Sequence, residues 1–531
     1  MKNNFLKIFV AAVIIIAAQT SCNKDLNRTP TNTLTAATAY STPAGYKQVL
    51  AKVYGSYALT GSSGPGSTDL GGIDPGTSDF LRLYWGAQEL TTDEAAIIWN
   101  DPGLPEFHNL SWTSSNVLLT GLYNRCVYQI TVANELIREA GEDKLASRGI
   151  TGADADNIRH YRAEARFLRA FQYWVLIDLF ANPPFVTEND PVGLPTFKPR
   201  QISRADLFTY VETELKSIDS SLVPPRQNEY GRADQAAAWA LLARLYLNAE
   251  VYLGQGKGRY TDAVTYADKV INSGYTLSPN YANLFLADNN VNNSEIILPI
   301  NYDGVNTQNW GGTTFIINAA INADMNPPSY GVPNGGWGGM RSTQNLPLLF
   351  GDYSGHTDKR AMFFGQTLQI KDPLVFTEGL AVTKFKNITS TGVTPPSANG
   401  VWCSTDFPLF RLGEMYLVYA EAVLRGGTGG SIATALQYVN TLRNRAYGNG
   451  QGALTALTLN DVLDERAREL YWEGFRRTDL IRYNLFTSST YLWPFKGGVA
   501  EGKGVDARFN IFPIPSTDII ANTNLTQNPG Y

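Results

Sequence analysis

Three times along this 531-residue chain, two successive stretches carry apolar residues at helical spacing, and that recurrence limits the fold more than any other feature. Asp156 to Phe180 places Ile158, Tyr161, Ala165, Leu168, Val175 and Leu179 on one face, and Ser203-x-x-Asp206 has the form of a capping box opening a partner helix to Leu222. Ala233 to Tyr252 is followed by GQGKGRY and then Thr261 to Asn272, while Leu409 to Arg425 is followed by GGTGG and then Ser431 to Ala446. Small residues stand where such helices must pass closely: Ala240, Ala243, Ala263 and Ala267 in one pair, Ala420, Ala422 and Ala435 in the other. A single pair cannot bury its stripe, but stacked pairs form a continuous core. The pattern therefore predicts a mainly all-α fold of degenerate, tetratricopeptide-like helical pairs. Two further helices are expected before them, Ala44 to Leu59 and Asn116 to Ala140.

Between Ser273 and Pro408 the helical period disappears. This loop-rich insertion (273–408) is dense in Gly, Asn, Pro and Trp, and its short apolar runs EIILPI (295–300) and TTFIIN (313–318) suggest small strands. A loop region this long is functional or disordered, and its tryptophans argue against disorder. A second irregular stretch, GSSGPGSTDLGGIDPGTSD, follows the first helix.

The N-terminus indicates an address. Lys2 and Lys7 precede an apolar run from Ile8 to Ala18, too short to span a bilayer but right for a signal peptide. Gln19-Thr20-Ser21 before Cys22 resembles a lipobox, so residues 1–21 are expected to be removed and Cys22 lipidated, although Gln19 departs from the usual apolar residue. Residues 22–42, rich in Thr and Asn, would then tether a single domain over 43–531. With Lys2 and Lys7 set aside, 41 Lys+Arg stand against 48 Asp+Glu, which argues against nucleic acid and other polyanions as partners. Cys126 and Cys403 are too few and too far apart for a disulfide scaffold or a zinc site and are expected as buried thiols.

No catalytic constellation is evident. His108, His160 and His356 are isolated, and no GxSxG elbow occurs. Asp288, Asn290 and Asn292 offer oxygens that calcium accepts, but Asn293 replaces the turn-making glycine of a loop site, and a polar turn explains them better. Paired carboxylates such as Asp93 and Glu94, or Glu469 and Glu473, could be proposed for a glycosidase, but sequence neighbours cannot flank one glycosidic bond.

Binding signals are stronger. A neutral oligosaccharide offers apolar C–H faces and hydroxyl edges, so its receptor needs exposed aromatic rings beside planar hydrogen-bonding groups. Residues 78–107 supply Arg82, Trp99, Asn100 and Asp101 around a Pro-Gly-Leu-Pro turn. Residues 301–341 supply Tyr302, Asn306, Gln308, Trp310, Trp337 and Arg341 among glycines that let a ligand approach the backbone.

The C-terminal third carries the most specific pattern. NDVLDERARELYWEGFRRTDLIRY (460–483) predicts one helix capped by Asn460, with Glu465, Glu469 and Glu473 recurring every four residues and with Asp464 facing Arg468, Arg466 facing Glu469, and Glu473 facing Arg476 and Arg477 at pairing distance. Preceded by LFRLGEMYLVYAEAVLR (409–425) and followed by FPIPSTDIIANTNLTQNPGY (512–531), it resembles the SusD-like (RagB/SusD) outer-membrane glycan-binding lipoproteins. The runs TSDFLRLYW, TDEAAIIWNDPGLPEF and TQNWGG are most similar to the starch-binding branch of that family. The resemblance implies a non-catalytic, lipid-anchored surface protein that binds a starch-like glucan through Arg82 and Trp99, with Trp310 and Trp337. It also implies delivery to a SusC-like TonB-dependent transporter, and it makes the 460–483 charges scaffold rather than site. The competing expectation is a helical-repeat scaffold at the outer membrane that binds protein.

Overall fold

A computed structural model describes residues 35–291, 293–448 and 450–531. The signal segment, Cys22 and most of the tether lie outside them. Thr35 to Tyr40, inside the stretch expected as tether, form one helical turn whose capping box joins Thr35 and Thr38.

The helices begin where side chains can satisfy free backbone N–H groups. Thr42 caps α1 (Pro43–Ala58), Asp79 caps α2 (Phe80–Glu89), and Asn116 caps α3 (Val117–Glu139) by accepting from both Leu118 and Leu119. The 28-residue α4 (Gly152–Leu179) is buried almost all round from Ala163 onward, because α1, α3 and α5 (Arg204–Ser217) all pack on it. The next layer comprises α6 (Gln235–Leu247) and α7 (Tyr260–Ile271), and the crossing alanines 240, 243, 263 and 267 are fully buried. Further along the chain, α8 (Gly312–Ala320) lies inside the loop-rich insertion, and α9 (Leu412–Leu424) packs against α7 and α10 (Ile432–Tyr447). The expected helical pairs are thus present, and Cys126 and Cys403 are buried free thiols.

The strands form four two-stranded antiparallel ribbons among the described residues. Two matter here. β1 (Ala96–Ile97) pairs with β3 (Met340–Arg341), and β2 (Ile296–Ile300) pairs with β4 (Phe407–Arg411). EIILPI is therefore a strand as expected. TTFIIN is not, because it lies in α8. Every residue of that helix is buried, so neither a helical stripe nor an alternation survives in its sequence, and its β-branched residues suggested a strand. Residues 409–411, expected as the first turn of a helix, belong to β4, and helix begins only at Leu412.

The 460–483 segment departs furthest from expectation. Thr458, not Asn460, caps α11 (Leu459–Leu470), in a capping box with Asp461. The helix then breaks, with Trp472 and Gly474 at φ +65° and +83°, before α12 (Arg476–Arg482). The break lets Trp472 meet Trp85 edge-on at 5.2 Å, with Trp85 Nε1 donating to the Trp472 carbonyl at 2.9 Å. The carboxylates ignore their expected local partners because this face points into the core. Arg411 binds Glu295, Glu469 and Glu473, Arg360 binds Asp358, Glu465 and Glu469, and Lys384 binds Glu473. Of the expected local pairs none forms: Arg468 reaches Glu465, Arg466 reaches Asp479, and Arg476 reaches Asp93. This network clamps the insertion and β4 onto α11.

Candidate functional site

Two irregular regions distant in sequence are pinned together by Asp79. Its carboxylate accepts from Arg82 N at 2.8 Å, starting α2, and from Gly312 N at 2.9 Å, starting α8. The β1–β3 ribbon makes the second link. It continues through Ile98 N donating to Gly339 O, so Trp99, just after β1, comes beside Trp337, just before β3. Trp99 Nε1 donates to Gly338 O at 3.0 Å. Gly339 sits at φ +108°, and a Cβ there would lie 2.5 Å from Trp99 Nε1, so only glycine leaves room for the indole.

Three indoles follow one another across this junction. Ring centroids are 6.2 Å apart from Trp99 to Trp337 and 6.1 Å from Trp337 to Trp310, with successive planes tilted by 46° and 43°. The surface they present is therefore angular rather than flat. Trp310 is 36% exposed, while Trp99 and Trp337 are partly exposed. Together with Arg82, Asp74, Pro75 and Gly76 they border an open hollow of about 550 Å³.

Arg82 forms one wall. One guanidinium nitrogen donates to Gly76 O at 2.7 Å, and the group lies 4.5 Å from the Phe315 ring centroid and 5.8 Å from that of Trp99. Burial pushes its pKa down to about 10, against the pull of Asp101, Asp79 and Asp74, so it stays cationic at neutral pH. Its other side-chain N–H groups have no hydrogen-bond partner among the described residues and remain available to a hydroxyl.

The other expected residues are placed differently. Asn100 is exposed beside the arc, and Asp101 lines a neighbouring cavity instead. Asn306 is exposed on a turn held by Asp303 and does not border the hollow. Tyr302 is only 6% exposed, its ring against Gly312, so it is a packing residue rather than a platform. Gln308 closes on Val305 O. Arg341 is buried, its guanidinium taken by the carbonyls of Pro373, Val375 and Glu378. Asp288 accepts from Ser390 N and Oγ within a polar turn, and Asn292 lies outside the described residues. Sequence reasoning missed Trp402, buried edge-on to Trp310 at 4.3 Å, and Phe315, which backs Trp99 at 5.9 Å.

The carboxylates considered for hydrolysis cannot reach a glycan. Asp93 and Glu469 are fully buried, and Glu94 and Glu473 nearly so. Asp93 is paired bidentately to Arg476 at 2.7 and 2.8 Å.

Comparison with known proteins bears on this arrangement. A model described as the SusD family matches residues 365–531, and one described as starch-binding, associating with the outer membrane, matches residues 88–247. The starch-binding protein SusD of Bacteroides thetaiotaomicron is 36% identical in an alignment covering all of both chains. The chain belongs to the SusD family. SusD-like protein P2 of Formosa agariphila is 25% identical over 80% of this chain and 83% of its own. Among solved structures, a SusD homolog from B. thetaiotaomicron superposes with a TM-score of 0.72 at 18% identity, covering 94% of this chain and 99% of that one. Surface glycan-binding protein A from the same organism, in complex with laminarihexaose, gives 0.67 at 20% identity, covering 91% and 99%. SusD homologues bind glycans at the cell surface without catalysis, and the family is associated with the outer membrane. Among the described residues no helix is long and apolar enough to cross a membrane.

Proposed function

We propose that this SusD-family protein captures a starch-like glucan on the outer surface of the outer membrane, through the Trp99–Trp337–Trp310 arc and Arg82, and passes it to a SusC-like TonB-dependent transporter. The observation that carries the reading is the arc itself: three partly exposed indoles in sequence, tilted at each step, beside an arginine with spare donors. A glucan that curves presents successive apolar faces at an angle, and a tilted series of rings meets them better than a plane does. The 36% identity along the whole of a protein named for starch binding supports the same ligand. Affinity should be modest, since a shallow hollow orders the sugar while pairing few of its hydroxyls. Lipidation at Cys22 would hold the protein at the surface, with two or more acyl chains giving stable anchorage.

Native electrophoresis of the soluble form, begun after Cys22, in gels containing starch tests the proposal. Wild-type protein should be retarded, and Trp99→Ala and Trp337→Ala should run as in starch-free gel. Unretarded wild type, or full retardation of both variants, would refute it.

A further inference from the structure

Beside the arc lies a second hollow, about 650 Å³, that the proposed function does not use. Its apolar walls draw on four separate elements: Leu83 and Gly86 on α2 with Leu90 just past its end, Leu118 on α3, Phe107 in the helical turn Leu104–Asn109, and Phe315 on α8. Each of these residues is buried. Polar lining is confined to Asp74, Thr77, Arg82 and Asp101, and two of these, Asp74 and Arg82, also border the tryptophan hollow. The two spaces therefore adjoin at the Arg82 guanidinium, with Phe315 beneath it.

The hollow is partly open to solvent, so its lining decides what it can hold beyond water. Water would find hydrogen-bonding partners only near the four polar residues, since a site that keeps ordered water needs two to four polar partners per molecule. The walls suit hydrocarbon, and the volume falls within the range of small-molecule sites.

We infer that this hollow is a subsite for an apolar chain carried on the glycan: an alkyl or acyl group attached to the sugar that stands on Trp99, with Arg82 and Asp74 hydrogen-bonded to the oxygens at the junction. The inference rests on the glycan reading of the arc, and it adds amphiphilic glucosides to the ligands of this protein.

Calorimetry on the soluble protein separates the two ideas, using maltoheptaose, maltose, and n-octyl maltoside below its micelle-forming concentration. Octyl maltoside should bind at least tenfold more tightly than maltose. Gly86→Leu should remove that gain while leaving maltoheptaose affinity unchanged, because a Cβ at Gly86 meets Leu90 and Phe107 at an ordinary 3.7 Å and the rest of the side chain fills the hollow. Val117→Phe, at the partly exposed lining, provides the same block should Gly86→Leu fail to fold. Equal affinity for octyl maltoside and maltose, or a gain that survives both blocks, overturns the subsite and leaves the arc standing. If maltoheptaose does not bind at all, the arc reading falls, and octanoate then decides the hollow: binding abolished by Gly86→Leu supports an alkyl site, and no binding overturns it.

Discussion

Trp310→Ala isolates the stacking term better than any other substitution in the arc. Trp99 is tied to Gly338 by its indole N–H, and its loss would disturb the ribbon as well as the surface. Trp310 makes no such bond among the described residues and meets Trp402 only through ring contact. With 36% of its surface exposed, and a tryptophan carrying roughly 250 Å² in all, about 90 Å² is open to ligand. At roughly 25 cal/mol per Å² full coverage is worth about 2 kcal/mol, and coverage of one ring face about half of that. A tenfold change costs about 1.4 kcal/mol, so maltoheptaose should bind roughly five- to thirty-fold more weakly to Trp310→Ala, with Trp310→Phe in between. Isothermal calorimetry reads the affinity, and urea unfolding should give a stability within about 1 kcal/mol of wild type, as expected for a surface substitution. A folded variant that binds maltoheptaose within twofold of wild type would show that this ring does not carry ligand, and the arc argument would fail with it.

Other consequences follow from groups away from the arc. Arg411→Met leaves Glu295, Glu469 and Glu473 buried without their shared cation, and urea denaturation should show a loss of about 3–5 kcal/mol. Burial pushes the Glu465 and Glu421 carboxyls up, but Arg360 beside the first and Arg482 beside the second outweigh it and hold both down to about 2. Their depressed values supply stability above the unfolded carboxylate pKa of about 4.3, which should be lost as pH falls from there towards 2. His108, with neither ring nitrogen hydrogen-bonded among the described residues, is pushed down to about 4 by burial and by Arg341, so its own contribution to wild-type stability should fall by about 3 kcal/mol as pH falls from 6.5 to 4. His108→Phe should remove that loss, and the difference between the two proteins separates it from Glu89, which burial raises to about 7 and which titrates in the opposite sense. Gly339→Ala places a methyl group against Trp99 at a φ suited to glycine, so it should weaken glucan binding as strongly as Trp99→Ala in the starch gel.

The elements legible in the sequence are those whose cause is local. Asn116, Ser203 and Ser431 each cap a helix at the expected place, and the alanine-rich crossings identify which helices pair. What escaped is tertiary in origin. α8 carries no periodicity because it touches protein on all sides, and the break at Trp472 is held by Trp85, nearly 400 positions away. Spacing along α11 suggested intrahelical pairs, yet a helix face turned inward takes its cations from β4, α10 and the insertion.

The arc shows the same division. Tryptophans flanked by glycine were recognisable as candidates, while the direction of each neighbouring side chain was not: Asn100 and Asp101 follow Trp99 directly, yet neither borders its hollow. Two glycines have a packing role in addition to the expected one of admitting ligand to the backbone. At Gly339 the space of the missing side chain is taken by Trp99, and at Gly76 a Cβ would lie 3.4 Å from that of Trp310. At these two positions the missing side chain makes room for an indole, which helps set the tilt of the rings. The apolar hollow beyond Arg82 was invisible for a stricter reason. Its walls come from four segments that meet only once Asp79 has joined the start of α2 to the start of α8, and no stretch of sequence contains more than part of it.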